Sequence, residues 1–292
     1  MRLNLNIMTE KNKSSLAESK KDFSTDGNVF TLKTVQIAPF RILMTALKDI
    51  LLETNIYLTP EGMKIINMDK SHTILVHLFL PAKNFEFYEC KKDKIIIGVN
   101  MFHLFKLINS IDNGDALTIY IENSDYFDGI VSHLALKFEN GNIKQCKTQK
   151  LKLIEPDNDE LEYPEVKFSS IINLKSSDFQ KIIRDLSCIS EKVEIKSVGN
   201  ELIFKCKGQF AEAEIHRGEI NESMSFISKP DDSVVIQGEF SLKNLGYFIK
   251  CTNLCPQIEM YLENDLPLIV KYNVASLGYV NLCNVPLPST TV

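Results

Sequence analysis

Hydrophobic positions along the chain follow two alternating rhythms. In four short stretches apolar residues recur every three or four positions, the period of a helix with one buried stripe. RILMTALKDIL, from Arg41, predicts a helix with Ile42, Leu43, Ala46, Leu47 and Ile50 on the stripe. FQKIIRDLSCI predicts another, with Phe179, Ile182, Ile183 and Leu186. Two more carry Met101, Leu104, Leu107 and Ile108, and Leu242, Leu245, Phe248 and Ile249. Between them the rhythm shortens to strand-like runs rich in β-branched and aromatic residues, among them Ile74 to Leu80, Ile95 to Val99, Leu117 to Ile121 and Leu134 to Phe138. Asn113-Gly114, Glu139-Asn-Gly141 and Gly199-Asn200 supply turn chemistry. Short helices among many strands predict an α+β fold with mostly antiparallel sheet.

The elements repeat. Ala46-Leu-Lys-Asp-Ile50 and Ile182-Ile-Arg-Asp-Leu186 match in type at a shift of 136. The strand-like runs that follow break at Gly62 and Gly199, a shift of 137, and the second helical patterns match at 141. Tyr120-Ile-Glu-Asn123 and Tyr261-Leu-Glu-Asn264 match again at 141. A shift that drifts so little over four elements marks a duplicated unit of strand, helix, strands, helix and strands.

IEPDNDELEYPEVK lies near the midpoint of the patterned chain. Pro156, Pro164 and mutually repelling carboxylates disfavour both helix and sheet there, so it reads as a connector. The expected organisation is a polar, flexible extension over residues 1–29, one domain over 30–154, the connector over 155–167, a second domain over 168–287 and a tail over 288–292.

Charge sharpens this division. The 292 residues carry a net −5. Six acids against one base between Glu155 and Lys167 account for all of it, so the rest is neutral overall and its bases are free to gather on one surface. At about 100° per residue, Arg41 and Lys48 fall opposite the first stripe, and Lys106 opposite the second. Lys181 and Arg184 fall opposite the third, and Lys243 and Lys250 opposite the fourth. Asp49 and Asp185 sit off that centre, flanking the stripes. Amphipathic helices carry charged outer faces as a rule. Here, however, repeat-related helices all centre bases, which points to a polyanion gripped by its phosphates and not by its base edges.

These residues resemble the proliferating cell nuclear antigen family, the eukaryotic and archaeal type of DNA sliding clamp. The resemblance runs from about Phe30 to Pro286 and is carried by LMTALKDIL, INMDKSHTILVHLFL, IIIGVNMFHLFKLI, FQKIIRDLS and DLPLIVKYNVASLGYV. Its most specific parts are Met68-Asp-x-Ser-His72 and Leu266-Pro-Leu-Ile-Val-x-Tyr272. It implies a homotrimeric ring of two-domain subunits, with helices lining a central hole and sheets outside. The hole-lining bases carry over at Arg41, Lys48, Lys106, Lys181, Arg184, Lys243 and Lys250. Ile42 and Asn109 depart, standing where the family often has bases. The family's partner peptides, a glutamine and an aliphatic residue followed by an aromatic pair, plug a pocket beside the connector. The matching positions are Met68, His72, Leu75, Leu161, Tyr163, Pro267, Val285 and Pro286. Cys283 replaces a common aromatic and Thr73 a common valine, which implies a shallower pocket. Subunits are expected to meet through edge strands near Lys144 to Lys152 and Phe210 to Arg217. Lys144, Lys147, Lys150 and Lys152 on one would face Glu212 and Glu214 on the other. Expected partners are duplex DNA of any sequence, DNA polymerase and other peptide-bearing proteins, and a clamp loader. The nucleus, or a viral replication site, is the expected location. The polar extension and the wealth of Asn, Ile and Lys point to a divergent source such as a large DNA virus.

Other functions find less support. His72, His77, His103, His133 and His216 form no H-x-x-x-H or H-E-x-x-H arrangement, and no phosphate-binding glycine loop occurs. Asp231-Asp232 reads as a solvated turn, and no nucleophile with its base can be assembled. Seven scattered cysteines, none in C-x-x-C spacing, predict reduced thiols rather than a disulfide or zinc framework. The expectation is a non-enzymatic protein without cofactor or metal. No apolar run reaches membrane-spanning length, and the start lacks the core of a secretory signal. The alternatives are a subunit of a heteromeric checkpoint-type clamp acting as a signalling platform, and a structural DNA-packaging protein that uses the same fold.

Overall fold

The computed structural model describes residues 27–110, 114–157, 161, 163, 166–220 and 223–288. Residues 1–26 of the extension expected over 1–29, the Asn113 side of one turn, much of the acidic connector and the last four residues lie outside these, while Asn28 and Val29 of that expected extension belong to the first strand.

The first half opens with β1 (Asn28–Thr34) and α1 (Ile37–Leu47), followed by β2 (Glu53–Thr59), β3 (Gly62–Met68), β4 (Ile74–Pro81), β5 (Phe87–Cys90) and β6 (Ile95–Asn100). It continues with α2 (Met101–Asn109), β7 (Ala116–Glu122), β8 (Tyr126–Phe127), β9 (Ile130–Val131), β10 (His133–Asn140) and β11 (Gln145–Lys152). The second half repeats the plan with β12 (Ser170–Lys175), α3 (Ser176–Ser187), β13 (Lys192–Val198), β14 (Glu201–Lys207), β15 (Glu212–Gly218), β16 (Met224–Ser228) and β17 (Val235–Ser241). It ends with α4 (Leu242–Phe248), a 3-10 segment (Ile249–Leu254), β18 (Gln257–Leu262), β19 (Leu268–Val274) and β20 (Gly278–Asn284). This is the expected α+β architecture, with every strand pairing antiparallel.

The apolar stripes explain the helices. Phe179, Ile182, Ile183 and Leu186 of α3 are buried, as are Leu242, Leu245 and Phe248 of α4. Asn100 caps α2 by accepting the His103 amide at 3.1 Å, and Ser241 caps α4 by accepting the Asn244 amide at 3.4 Å. Two ends differ from the periodicity. The first helix stops at Leu47, with Lys48 as its C-cap, and α4 tightens to 3-10 geometry from Ile249. Lys48 and Lys250 therefore lie just beyond regular α-helix, where wheel positions no longer apply.

Nine strands form one sheet in the order β16-β12-β18-β19-β20-β4-β3-β2-β6. The sheet crosses from one half to the other through the β20–β4 ladder, from Tyr279 opposite Phe79 to Asn284 opposite Ile74. A five-stranded sheet ends on β11 and a four-stranded sheet ends on β15. Gly62 makes the β2–β3 turn at φ +152°, where a Cβ would lie 2.3 Å from the Leu80 carbonyl oxygen. One apolar core runs through both halves, from Phe30 and Phe40 to Phe204, Phe240 and Phe248. Each such side chain contributes on the order of 1.5–3 kcal/mol by burial. Among the described residues no helix is long and apolar enough to cross a membrane.

Candidate DNA face and partner pocket

The helices gather on one side. α1 packs against α2 and the 3-10 segment, and α3 packs against α4 and the same segment. The seven sequence-predicted bases are not alike on this face. Lys181, Arg184 and Lys243 are exposed. No carboxylate among the described residues pairs with any of these three. Lys106 stands 4.5 Å above the ring of Phe102, an aromatic 43% exposed at the position that repeats as Lys243. Arg41 is half-buried on α1. Lys48 lies 4.9 Å over the Phe105 ring and donates to Asp49 at 2.6 Å. Lys250 lies 5.3 Å over the Tyr247 ring and donates to the same carboxylate at 2.5 Å. Asp49 is thus no bystander at the edge of its stripe, as its sequence position implied. It binds two of the predicted bases, one from each half.

The opposite, outer side of the nine-stranded sheet carries the connector. Met68, Leu75, Cys283 and Ile269 stand side by side across β3, β4, β20 and β19. Ile66, His77, Asn281 and Lys271 form the next row. Three attachments hold the connector over these rows. Gly98 lets the backbone come close: Ile154 donates to its carbonyl at 3.0 Å, and a Cβ on Gly98 would lie 2.6 Å from the Ile154 oxygen. Asn55, 6% exposed, donates to the Asp157 carbonyl at 2.7 Å and accepts the Asp157 amide at 3.0 Å. At the far end, Glu263 accepts from the amide of Ser169 at 2.8 Å.

Between these points Tyr163 packs against the sheet at His77, its ring tilted by 32° to the imidazole. Its ring centroid is 4.4 Å from that of His77, and its hydroxyl accepts from Asn281 at 3.4 Å. It also hydrogen-bonds Cys283, whose thiol is pushed up to about 12 by burial. Burial, helped by the charge of Lys64, pushes His77 down to about 4, so it is neutral at physiological pH. Its Nδ1 finds no hydrogen-bond partner among the described residues.

The eight predicted pocket residues do not line a single cavity. Met68, His72 and Leu161 share a depression of about 130 Å3 with Asn55, Tyr57 and Asp157. Tyr163 lines a larger groove of about 440 Å3 with Phe168, Tyr261, Lys271 and Tyr279. Pro286 lines a third, with Glu239, Asp265 and Leu287. Leu75 lies half-buried in the row between Met68 and Cys283, Pro267 is half-buried, and Val285 is 38% exposed. Thr73 is no passive gap. Its hydroxyl accepts from Asn244 of α4 at 3.1 Å, while Asn244 also donates to the buried Asn284 at 2.9 Å. Asp69 accepts the amides of Thr73 at 2.8 Å and Ile74 at 2.7 Å. These bonds brace His72, which sits in the left-handed region at φ +54°. Sequence reasoning missed Asn55 and Asn244, since neither lies near the connector or loop it holds.

The two expected assembly strands are sheet edges. Among the described residues β11 pairs only with β10, and β15 only with β14. Their charges are partly satisfied at home. Glu212 pairs with Lys207 at 2.7 Å and Glu214 with Lys205 at 3.2 Å. Lys150 reaches Glu122 at 2.7 Å and Asp125 at 3.1 Å, and Lys147 donates to Ser110 at 3.2 Å. Lys144 turns at φ +50°, and Lys152 is exposed. Among the described residues no group of three or more His, Cys, Asp or Glu is placed to hold a metal ion.

Comparison with known proteins gives this arrangement its context. Residues 29–161 match the family described as proliferating cell nuclear antigen, N-terminal domain, and residues 162–287 its C-terminal domain. A probable DNA polymerase sliding clamp of Acanthamoeba polyphaga mimivirus is 35% identical over 217 residues, 74% of this chain but only 45% of that protein. Probable DNA polymerase sliding clamp 1 of Paramecium bursaria Chlorella virus 1 is 30% identical over 269 residues, 90% of this chain and 99% of that one. With both family domains matched in order, and a viral relative aligned over nearly its whole length, the chain belongs to the proliferating cell nuclear antigen family.

Proposed function

We infer that this protein is a DNA sliding clamp and polymerase processivity factor of viral type, acting where DNA is replicated. The observation that carries this reading is the helical side of the duplicated fold. Three bases without carboxylate partners among the described residues, Lys181, Arg184 and Lys243, stand on α3 and α4, the two helices of the second half, above buried stripes. They suit phosphates spaced along a duplex, and nothing beside them suits base edges. The molecule works as a tether and not as an enzyme.

Three copies close into a ring through repeated contact of the free edge of β11 with the free edge of β15. A clamp loader opens that ring, and polymerase and other partners attach by short peptides beneath the connector. Support for the peptide site comes from Leu161 over the Met68–His72 depression and from the open groove beside Tyr163. A peptide would add main-chain hydrogen bonds along the connector and seat its apolar anchors in these hollows.

The test combines native mass with topology. The purified chain is expected at three times the subunit mass. Once loaded, it should stay on nicked circular DNA and leave the same DNA after linearisation. A protein that stays monomeric, or that is retained equally on both forms, sinks the reading.

A further inference from the structure

On the helical face one carboxylate holds two ammonium groups. Asp49 takes Lys48 on one oxygen at 2.6 Å and Lys250 on the other at 2.5 Å. Lys48 arrives from the adjoining C-cap of α1, and Lys250 from the 3-10 segment 201 residues away. Burial would raise the Asp49 pKa, but the hydrogen bonds and charges of Lys250 and Lys48 outweigh it and hold the carboxyl below its usual range. The carboxylate therefore stays charged wherever DNA is bound. The rings of Phe105 and Tyr247 back the two lysines, so each ammonium already has an anion and an aromatic face.

We propose that Asp49 sets the strength of the clamp's grip, by competing with DNA phosphate for Lys48 and Lys250. A phosphate that draws either lysine away exchanges one ion pair for another and gains little. It gains the full contact at Lys181, Arg184 and Lys243, which give up no carboxylate partner among the described residues. The grip is therefore uneven around each subunit. The 3-10 corner between the halves holds its bases in reserve, and the α3 side does most of the holding. Such exchange also flattens the landscape for sliding, because a lysine leaving one phosphate is caught by Asp49 before it reaches the next. This inference rests on the reading of the helical face as the DNA surface.

The experiment measures binding of a short fluorescent duplex by anisotropy across a salt series. It compares wild type, Asp49→Asn, and Lys181→Ala with Arg184→Ala, each verified as a trimer by native mass. Asp49→Asn is expected to bind roughly two- to thirtyfold tighter, the range that two exposed ion pairs span. Its plot of log affinity against log salt should steepen by about 0.9 per lysine released. A merely structural role for Asp49 would weaken the trimer without steepening that slope. Asp49→Glu, which keeps the charge, should fall back toward wild type. Wild-type affinity and slope in Asp49→Asn, alongside weakened binding in the Lys181/Arg184 variant, overturn the inference and leave the DNA surface standing. Wild-type behaviour in both overturns the surface as well. Should Asp49→Asn fail to assemble, Lys48→Gln with Lys250→Gln decides: it should lose less duplex affinity than the Lys181/Arg184 pair, and an equal or greater loss overturns the proposal.

Discussion

Tyr163 is fixed by both of its chemical ends. Its ring covers His77 while its hydroxyl meets Asn281 and Cys283. Covering His77 keeps the imidazole neutral, and this has a consequence for acid stability. The ordinary His77 value of 6.5 falls to about 4 in the fold, through burial and then Lys64. Below pH 6.5 the unfolded chain takes up a proton that the native state refuses, so stability is lost as pH falls from 6.5 towards 4. The groups facing His77 are Lys64, Tyr163, Tyr279 and Asn281, and none offers a compensating negative charge. His77→Phe, which keeps the stacking partner but cannot titrate, should flatten that loss. Urea midpoints at pH 7, 5.5 and 4.5 test this, and parallel decline in both proteins would refute it. A second prediction concerns the same corner. Leu161→Ala with Tyr163→Ala should cost at least about tenfold, roughly 1.4 kcal/mol, in affinity for a clamp-interacting peptide, with trimer mass unchanged. Calorimetry showing wild-type affinity would remove the pocket from this face.

Among the elements, the helices were legible because their stripes are local. Phe179 to Leu186 lie within two turns, and no distant partner was needed to place them. The limits of such reading appear where a contact spans the chain. Asp49 looked peripheral because Lys250, which reverses its meaning, is 201 residues away. Asn55 lies in the middle of β2, and only the folded backbone brings Asp157, 102 residues on, within hydrogen-bond reach. The eight expected pocket positions rest on family position alone. Their division over separate hollows was not legible, because it depends on how Tyr163 lies. Edge strands fall between these cases. Alternation exposes every other residue of β15, and the register then sets Glu212 opposite Lys207 and Glu214 opposite Lys205. Glu212→Lys with Glu214→Lys would place like charges within that sheet and against the lysines of an incoming β11. The trimer should dissociate at higher protein concentration than wild type. An unchanged mass distribution on dilution would show that subunits meet elsewhere.

At the scale of the whole molecule, the duplicated plan was visible in a shift of 136 to 141 residues, and the matched pairs of helices and strands follow it. What the repeat did not convey is that the two halves share a sheet. The β20–β4 ladder pairs six residues on each strand, and the buried side chains of Val76, Leu78, Val280 and Leu282 lie beneath it. Mechanically, such a subunit is one stiff plate without a waist. The proposed ring of three such plates would have its compliance at the joints between them. Prying that ring open to admit DNA would then strain the proposed β11–β15 contacts and leave the interior of each plate unbent. Amide hydrogen exchange reads this directly: protection should be lost first along β11 and β15, and last along β4 and β20. Early exchange at β4 and β20 would instead reveal a subunit that folds at its middle.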